Sequence, residues 1–166
     1  MSYVIYGTAR TRITLYAPDG TTPLQRITLQ KEDREGLTLT WKPEGPSTTL
    51  GSGAGWAITR THHGFRAELA IKWGVGVESS VETWASGAWG APTVMLTPLA
   101  IASIFNKALL APCLVEPHLD KAYSFLAQPD PGKAFTLKDI KGVAHTGLEL
   151  VLIAETLAAI PDWASL

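Results

Sequence analysis

One cysteine, little charge and no uninterrupted apolar run long enough for a membrane set the first limits on this chain. A single Cys113 among 166 residues excludes an intrachain disulfide and any zinc cage built on several cysteines. It lies in Ala111-Pro112-Cys113-Leu114-Val115, a setting in which free cysteine is a small buried hydrophobe rather than a reactive thiol. Charged residues make up only 17% of the chain, the net charge is −1, and the basic residues are scattered. That balance supplies no electrostatic basis for binding nucleic acid. Pro98, Asn106, Lys107 and Pro112 interrupt the apolar stretch Val94–Val115, which excludes an ordinary membrane span. The N-terminus has no signal-peptide apolar core, so folding in a cytoplasm is expected.

Motifs that carry chemistry are equally scarce. Gly-x-Ser-x-Gly and His-Glu-x-x-His are both absent. Gly51-Ser52-Gly53-Ala54-Gly55 resembles part of a dinucleotide fingerprint, but Trp56 stands where the third glycine belongs and a strand-like run follows instead of a helix. His62 and His63 are adjacent, with no third ligand nearby, which suits a solvated turn better than a metal. Glu116, His118 and Asp120 alternate, so on an extended segment they share one face and form the best catalytic candidate. Pro117 argues against a central strand there and favours a polar edge or loop. His145 and Glu149 are four apart, but the local alternation is that of a strand. The balance is against an enzyme, and no catalytic residue, metal or cofactor is expected.

What the chain does have is alternation. Trp56–Trp73 reads as two strands joined by a tight turn at His62-His63-Gly64, with Phe65, Ala67, Leu69, Ile71 and Trp73 on one side and Arg66, Glu68 and Lys72 between them. Arg10–Tyr16 alternates likewise, with Thr11, Ile13 and Leu15 on one side, and Ala17-Pro18-Asp19-Gly20 is a turn. Leu24–Leu29, Leu37–Trp41 and Thr93–Leu96 are further strands, and Gly147–Leu157 is the most apolar. Its Leu148, Leu150 and Leu152 oppose Val151 and Ile153, so it is expected to be covered on both faces, either centrally or at an interface. Ala122–Ala127 alternates, with a short helix as the competing reading, and Gln128–Gly132 is a turn. Glu78–Ala85 reads as one short helix. Thr97-Pro98 resembles an N-cap followed by proline at the first helical position, placing a helix over Leu99–Leu110, with an extended reading of Ala108–Glu116 competing at its end.

These elements predict one domain over residues 1–166: mainly β, an antiparallel β-sandwich or barrel with one or two short flanking helices. Phe65, Leu69, Ile71 and Trp73 should share a core with Ile13, Leu15, Leu37 and Leu39. Lys42–Gly55, rich in Pro, Gly, Ser and Thr, has no apolar period and is expected to be a long projecting loop. Hydrophobic residues reach 46% and there are six tryptophans, a surplus that suits a large core or a surface reserved for other subunits. Trp41, Trp56 and Trp73 are in phase with apolar neighbours and read as core, whereas Trp84 and Trp89 lie among Gly and Ala.

At the level of pattern the chain resembles phage tail structural proteins of the tail-tube and distal-tail type. The resemblance rests on the opening strand and turn TARTRITLYAPDG, the segment KPEGPSTTLGSGAG, the run WAITRTHHGFRAELAIKW and the late strand GLELVLIA. It implies a β-sandwich or barrel with a flanking helix that closes into a ring, six-fold most plausibly, with a long loop or hairpin reaching the next ring. It further implies a virion location after folding in the host cytoplasm, with copies of itself and other tail or baseplate proteins as partners, and neither a membrane nor sequence-specific nucleic acid. The candidate interface residues are Pro46, Thr48, Thr49, Leu50 and Ser52 in the projecting segment, together with Trp84 and Trp89. The alternatives are a carbohydrate-binding or adhesion module that stacks sugars on Trp84 or Trp89, and a small enzyme using the Glu116-His118-Asp120 face.

Overall fold

Side chains of a strand point alternately to opposite faces, so a chain that alternates this regularly yields a sheet with one dry face. The computed structural model describes residues 2–3, 10–29, 37–45, 47–52, 55–60, 64–74, 79–95, 97–119, 121–133, 136–140 and 144–162. The strands are β1 (Ser2–Tyr3), β2 (Thr11–Tyr16), β3 (Pro23–Leu29), β4 (Leu37–Glu44), β5 (Ser47–Ser52), β6 (Gly55–Arg60) and β7 (Gly64–Gly74). After them come β8 (Ser79–Ala85), β9 (Ala88–Trp89), β10 (Thr93–Met95), helix α1 (Pro98–Ala108), β11 (Cys113–Glu116), β12 (Phe125–Pro129), β13 (Thr136–Ile140) and β14 (Ala144–Ala154).

Twelve strands form one antiparallel sheet whose main path is β1-β4-β7-β14-β12-β11-β2-β3-β8-β10, with β13 paired to β14 and β9 to β8. The fold is mainly β with a flanking helix, as the alternation predicts. The barrel alternative is not realised: the end strands β1 and β10 are not joined, and with two and three residues they are too short to zip a closed cylinder. The sheet instead curls, packing its inner face against itself and α1. Trp73 on β7 donates its indole N–H to Ser79 Oγ on β8 at 3.0 Å, although the two strands are far apart in the sheet order. Trp41 and Tyr123 meet across the same interior with ring centroids 6.4 Å apart.

The inner face carries the expected residues. Ile13, Leu15, Leu39, Leu69, Ile71 and Trp73 are buried, Thr11 is buried beside them, and Phe65 packs half-buried against the cluster. The side chain of Leu37 lies outside the described residues, but its backbone pairs with Ile71 in the expected phase. On β14, Leu148, Leu150 and Leu152 are buried, while Val151 and Ile153 on the opposite face are only half-buried. The strand is central, paired with β7 on one side and with β12 and β13 on the other.

Helix α1 starts as the sequence predicts. Thr97 is the N-cap, its Oγ1 accepting from the Ala100 N–H, and Pro98 occupies the first turn. The helix ends at Ala108, two residues earlier than Leu110, because the extended chain into β11 takes over. Ile101, Ala102, Ile104 and Phe105 form its buried face, and the Phe105 ring meets Trp73 at 5.7 Å. It is the one helix among the described residues.

Three expectations are overturned. The described part of Glu78–Ala85 is not a helix: Ser79–Ala85 is β8, paired with β3 through residues 79–83 and with β10 through residues 79–81, so tertiary pairing decides the outcome. Of the alternating run Ala122–Ala127 only Phe125–Ala127 is strand, in β12, which also takes Gln128 and Pro129 from the expected turn Gln128–Gly132. Lys42–Gly55 is not a loop. Its described residues are the end of β4, a bend at Gly45, all of β5 and the first residue of β6, while 46, 53 and 54 lie outside the described residues. Strand pairing is made by the backbone and needs no apolar period, and the Thr residues of β5 suit extended backbone. Finally, β6 and β7 are not the two arms of a hairpin. β6 pairs back with β5 and β7 with β4, so the pairing is nested, and residues 62–63 lie outside the described residues.

The dry face makes a direct prediction. Leu69 is fully buried on a strand with neighbours on both sides, so Leu69→Ala should cost about 2–5 kcal/mol, the range for truncating a buried leucine. Denaturant unfolding measures it, and a loss under about 1 kcal/mol would show that the strand phase is wrong.

Candidate interaction surface

The feature that departs most from a closed domain is the β5–β6 ribbon. It extends the pairing of β4 with β7 past the edge of the sheet: Glu44 faces Gly64, then, after a slip of one register position, Ser47 faces Arg60 and Ser52 faces Gly55. Among the described strands, β5 and β6 pair only with each other. Thr48, Thr49, Leu50 and Ser52 all stand on β5, opposite Thr59, Ile58, Ala57 and Gly55 respectively. Pro46 lies outside the described residues. Trp56 is on β6 opposite Gly51, so it belongs to the ribbon rather than to the main sheet where its phase had put it. Gly51 and Gly55 therefore stand near the end of an antiparallel ribbon, not at a strand-to-helix turn of the kind that cradles phosphate.

The root of the ribbon is clamped from several directions. Arg66 donates from Nε to Glu44 Oε1 at 3.0 Å and from Nη1 to the Ala154 carbonyl at 2.9 Å, tying β4, β7 and β14 together. The segment after β14 turns back over β7, where Phe65 and Ala158 exchange both backbone hydrogen bonds at 3.0 and 2.9 Å. Gly64 makes this approach possible. Its φ of +135° is outside the range of ordinary residues, and a Cβ there would lie 3.2 Å from Leu157 Cβ. Nearby, Glu68 accepts from both Lys42 and Lys133. Burial pushes its carboxyl up, but the two ammonium donors more than offset this and hold it below the ordinary glutamate value.

Trp84 and Trp89 occupy the outer face at the far end of the sheet. Ser86 and Gly87, with φ of 52° and 81°, form a two-residue turn that pairs Trp84 with Trp89. The rings meet edge to face at 5.0 Å and 70°, and the Arg26 guanidinium lies 4.4 Å from the Trp89 centroid. Arg26 is itself held by Glu82 through two hydrogen bonds, of 2.5 and 2.7 Å. The two tryptophans are thus a half-buried packed pair with a cation on one of them. Sequence reasoning missed this arrangement, although Ser-Gly between two Trp-Ala and Ala-Trp pairs is a hairpin signal.

The Glu116, His118, Asp120 face is not assembled as a strand. β11 ends at Glu116, which lies 3.9 Å from Arg12, and the Thr11 hydroxyl donates to the Pro117 carbonyl. The chain then turns, with Lys121 N–H donating to the His118 carbonyl, and Asp120 lies outside the described residues. Among the described residues there is no group of three His, Cys, Asp or Glu placed to hold a metal. Cys113 is fully buried, hydrogen-bonded to the Ala127 carbonyl, and burial pushes its thiol up to about 12. A cavity of about 270 Å³ lies between α1 and the sheet, lined by Phe105, Asn106, Leu109, Pro129 and Leu150.

No protein-family model matches the chain, and no curated protein sequence is significantly similar to it.

Two titration outcomes follow from this geometry. Native Cys113 should resist maleimide labelling at pH 8 and label readily once the chain is denatured, because burial both raises its pKa and blocks access. Glu82 is held below its ordinary 4.5 chiefly by the Arg26 hydrogen bond. Its contribution to stability is therefore complete above that value and is lost as pH falls through the lower folded value. Glu82→Gln should flatten the dependence of stability on pH below about 4.5 in urea titrations; an unchanged slope would show that the pair contributes nothing.

Proposed function

We propose that the chain is a non-enzymatic structural subunit that assembles with copies of itself into a ring or tube, as a component of a phage tail or baseplate. In this reading it folds in the host cytoplasm, joins other tail or baseplate proteins, and ends in the virion. The observation that carries the proposal is the β5–β6 ribbon. A two-stranded ribbon alone is marginally stable in water. This one pairs with no other described strand, and Arg60 is the one charged residue from 47 to 60. Such an arm gains most by lying against another molecule.

The edges of the sheet support assembly through the arm rather than through edge pairing. β1 covers only Leu39 and Thr40 of β4, and the next two residues along that edge are Lys42 and Pro43 after Trp41. Lysine and proline are residues that disfavour strand addition. At the other end β10 has three residues. An arm that docks on a different surface of the next subunit is a head-to-tail contact, which closes into a ring when its rotation permits. The pattern-level resemblance to tail-tube and distal-tail proteins makes a six-fold ring the specific form of the proposal.

Electron microscopy and light scattering of the purified protein test it. Rings or short tubes are expected, and deleting residues 48–54 should leave the Tm of the main sheet unchanged, with circular dichroism losing only the ribbon's strand signal, while abolishing them. A strict monomer at high concentration, unaltered by any tail protein, would overturn the reading.

A further inference from the structure

We infer that the segment after β14, from Glu155 to Ile160, is a latch. It closes over the start of β7, opens as a unit without unfolding the sheet, and by opening frees the ribbon at its root. The device stands whatever the ribbon binds, and so goes beyond the self-assembly reading.

β14 runs beside β7 in strict register from Gly147 opposite Gly74 to Ile153 opposite Glu68. There it leaves. The Glu155 N–H donates to the Leu126 carbonyl of β12 at 2.9 Å, which draws the chain away from β7. It comes back at Ala158, opposite Phe65. Between the two contacts, Arg66 and Ala67 of β7 face Ala154 to Leu157, two residues more than a continuous ladder would hold. The latch is therefore a separate return and not the end of β14.

Its hold on β7 is small but specific. A strand residue directs its N–H and C=O to the same side, and Phe65 directs both at Ala158. The β4 residue on its other side is Pro43, which has no N–H to offer, so Ala158 supplies what β4 cannot. Gly64 makes the slot: Leu157 occupies the space beside it that a side chain would need. Little else secures the segment. Glu155 to Ala159 are exposed, and among these residues only Ile160, half-buried, packs against the core cluster. One pair of backbone bonds and one apolar anchor open more readily than the seven register positions that join β7 to β14, so the latch opens below global unfolding.

The ribbon's root lies directly under it. Glu44 faces Gly64 at the last register position before the ribbon begins. With Leu157 in place the backbone at Gly64 is held at its φ of +135°. With the latch away a glycine is released to change φ, and the direction of the ribbon changes with it. Arg66 sets the limit of this motion. Its bonds to Glu44 and to the Ala154 carbonyl lie on the sheet side, before the latch begins, so β4, β7 and β14 stay together while the latch is open.

Hydrogen exchange and limited proteolysis of the full chain in dilute solution test this. The Phe65 and Ala158 amides should exchange together, roughly a hundredfold faster than the Leu69 amide on the same edge of β7 and with little dependence on urea. Gly64→Ala crowds Leu157, and Ala158→Pro deletes the N–H that the Phe65 carbonyl accepts. Each variant should speed exchange at Phe65 by about tenfold and leave Leu69 unchanged. Each should also raise tryptic cleavage after Arg60, read by mass spectrometry, by about fivefold as the root loosens. Exchange at Phe65 as slow and as urea-dependent as at Leu69 would overturn the latch. So would the loss of Leu69 protection in both variants, which would make the segment part of the global fold. Variants that expose Phe65 without changing cleavage after Arg60 would overturn the link between latch and ribbon.

Discussion

A single sheet that has only one dry face must find cover for it, and that requirement organises this molecule. Most of the apolar side chains of β2, β3, β4, β7, β11 and β14 point the same way. With one helix among the described residues available as a second layer, the sheet curls until its interior packs on itself. Phe105 of α1 against Trp73, and the Trp73 indole N–H on Ser79, mark where the curl is drawn together. That hydrogen bond also satisfies a donor that would be costly to bury unpaired. The wet face is then free to carry ladders of charge such as Arg26 with Glu82 and Lys72 with Glu149.

Much of this was legible in the sequence because burial and alternation are the same signal seen twice. Ile13 and Leu15, Leu69 and Ile71, and Leu148 to Leu152 each kept the phase that their spacing predicted. Thr97 and Pro98 announced the helix through the chemistry of its first turn. What was not legible is who pairs with whom. Alternation on β6 and β7 is consistent with a hairpin between them, and nothing local reveals that each pairs backward with β5 and β4. The ribbon was invisible for a related reason: its sequence carries no alternation of apolar residues, so Thr48 to Ser52 resembled a loop. On the candidate site, Trp84 and Trp89 were singled out as a pair of interest, but their mutual packing and the Arg26 contact depend on a register set by Ser86 and Gly87.

The ribbon and the sheet are not separate devices. Gly64, Arg66, Glu44 and the strand-like return at Ala158 all meet where the ribbon leaves, so its root is tied from several directions. Backbone, side-chain and close-packing constraints converge there from β4, β7, β14 and the segment that follows it. In the assembly proposed above, a ribbon attached by one flexible link would lose more orientational freedom on docking than one clamped at its root.

That convergence has a mechanical consequence. Tension on the ribbon enters the sheet through both β4 and β7. These strands are joined at eight register positions, and β7 is joined to β14 at seven more. Antiparallel hydrogen bonds lie perpendicular to the strands, so a pull along the strand axes loads those bonds together in shear instead of peeling them one by one. The load passes directly into the middle of the sheet, past β7 into β14, and not into a short edge strand. The chain is built so that what holds its arm is also what resists being pulled by it.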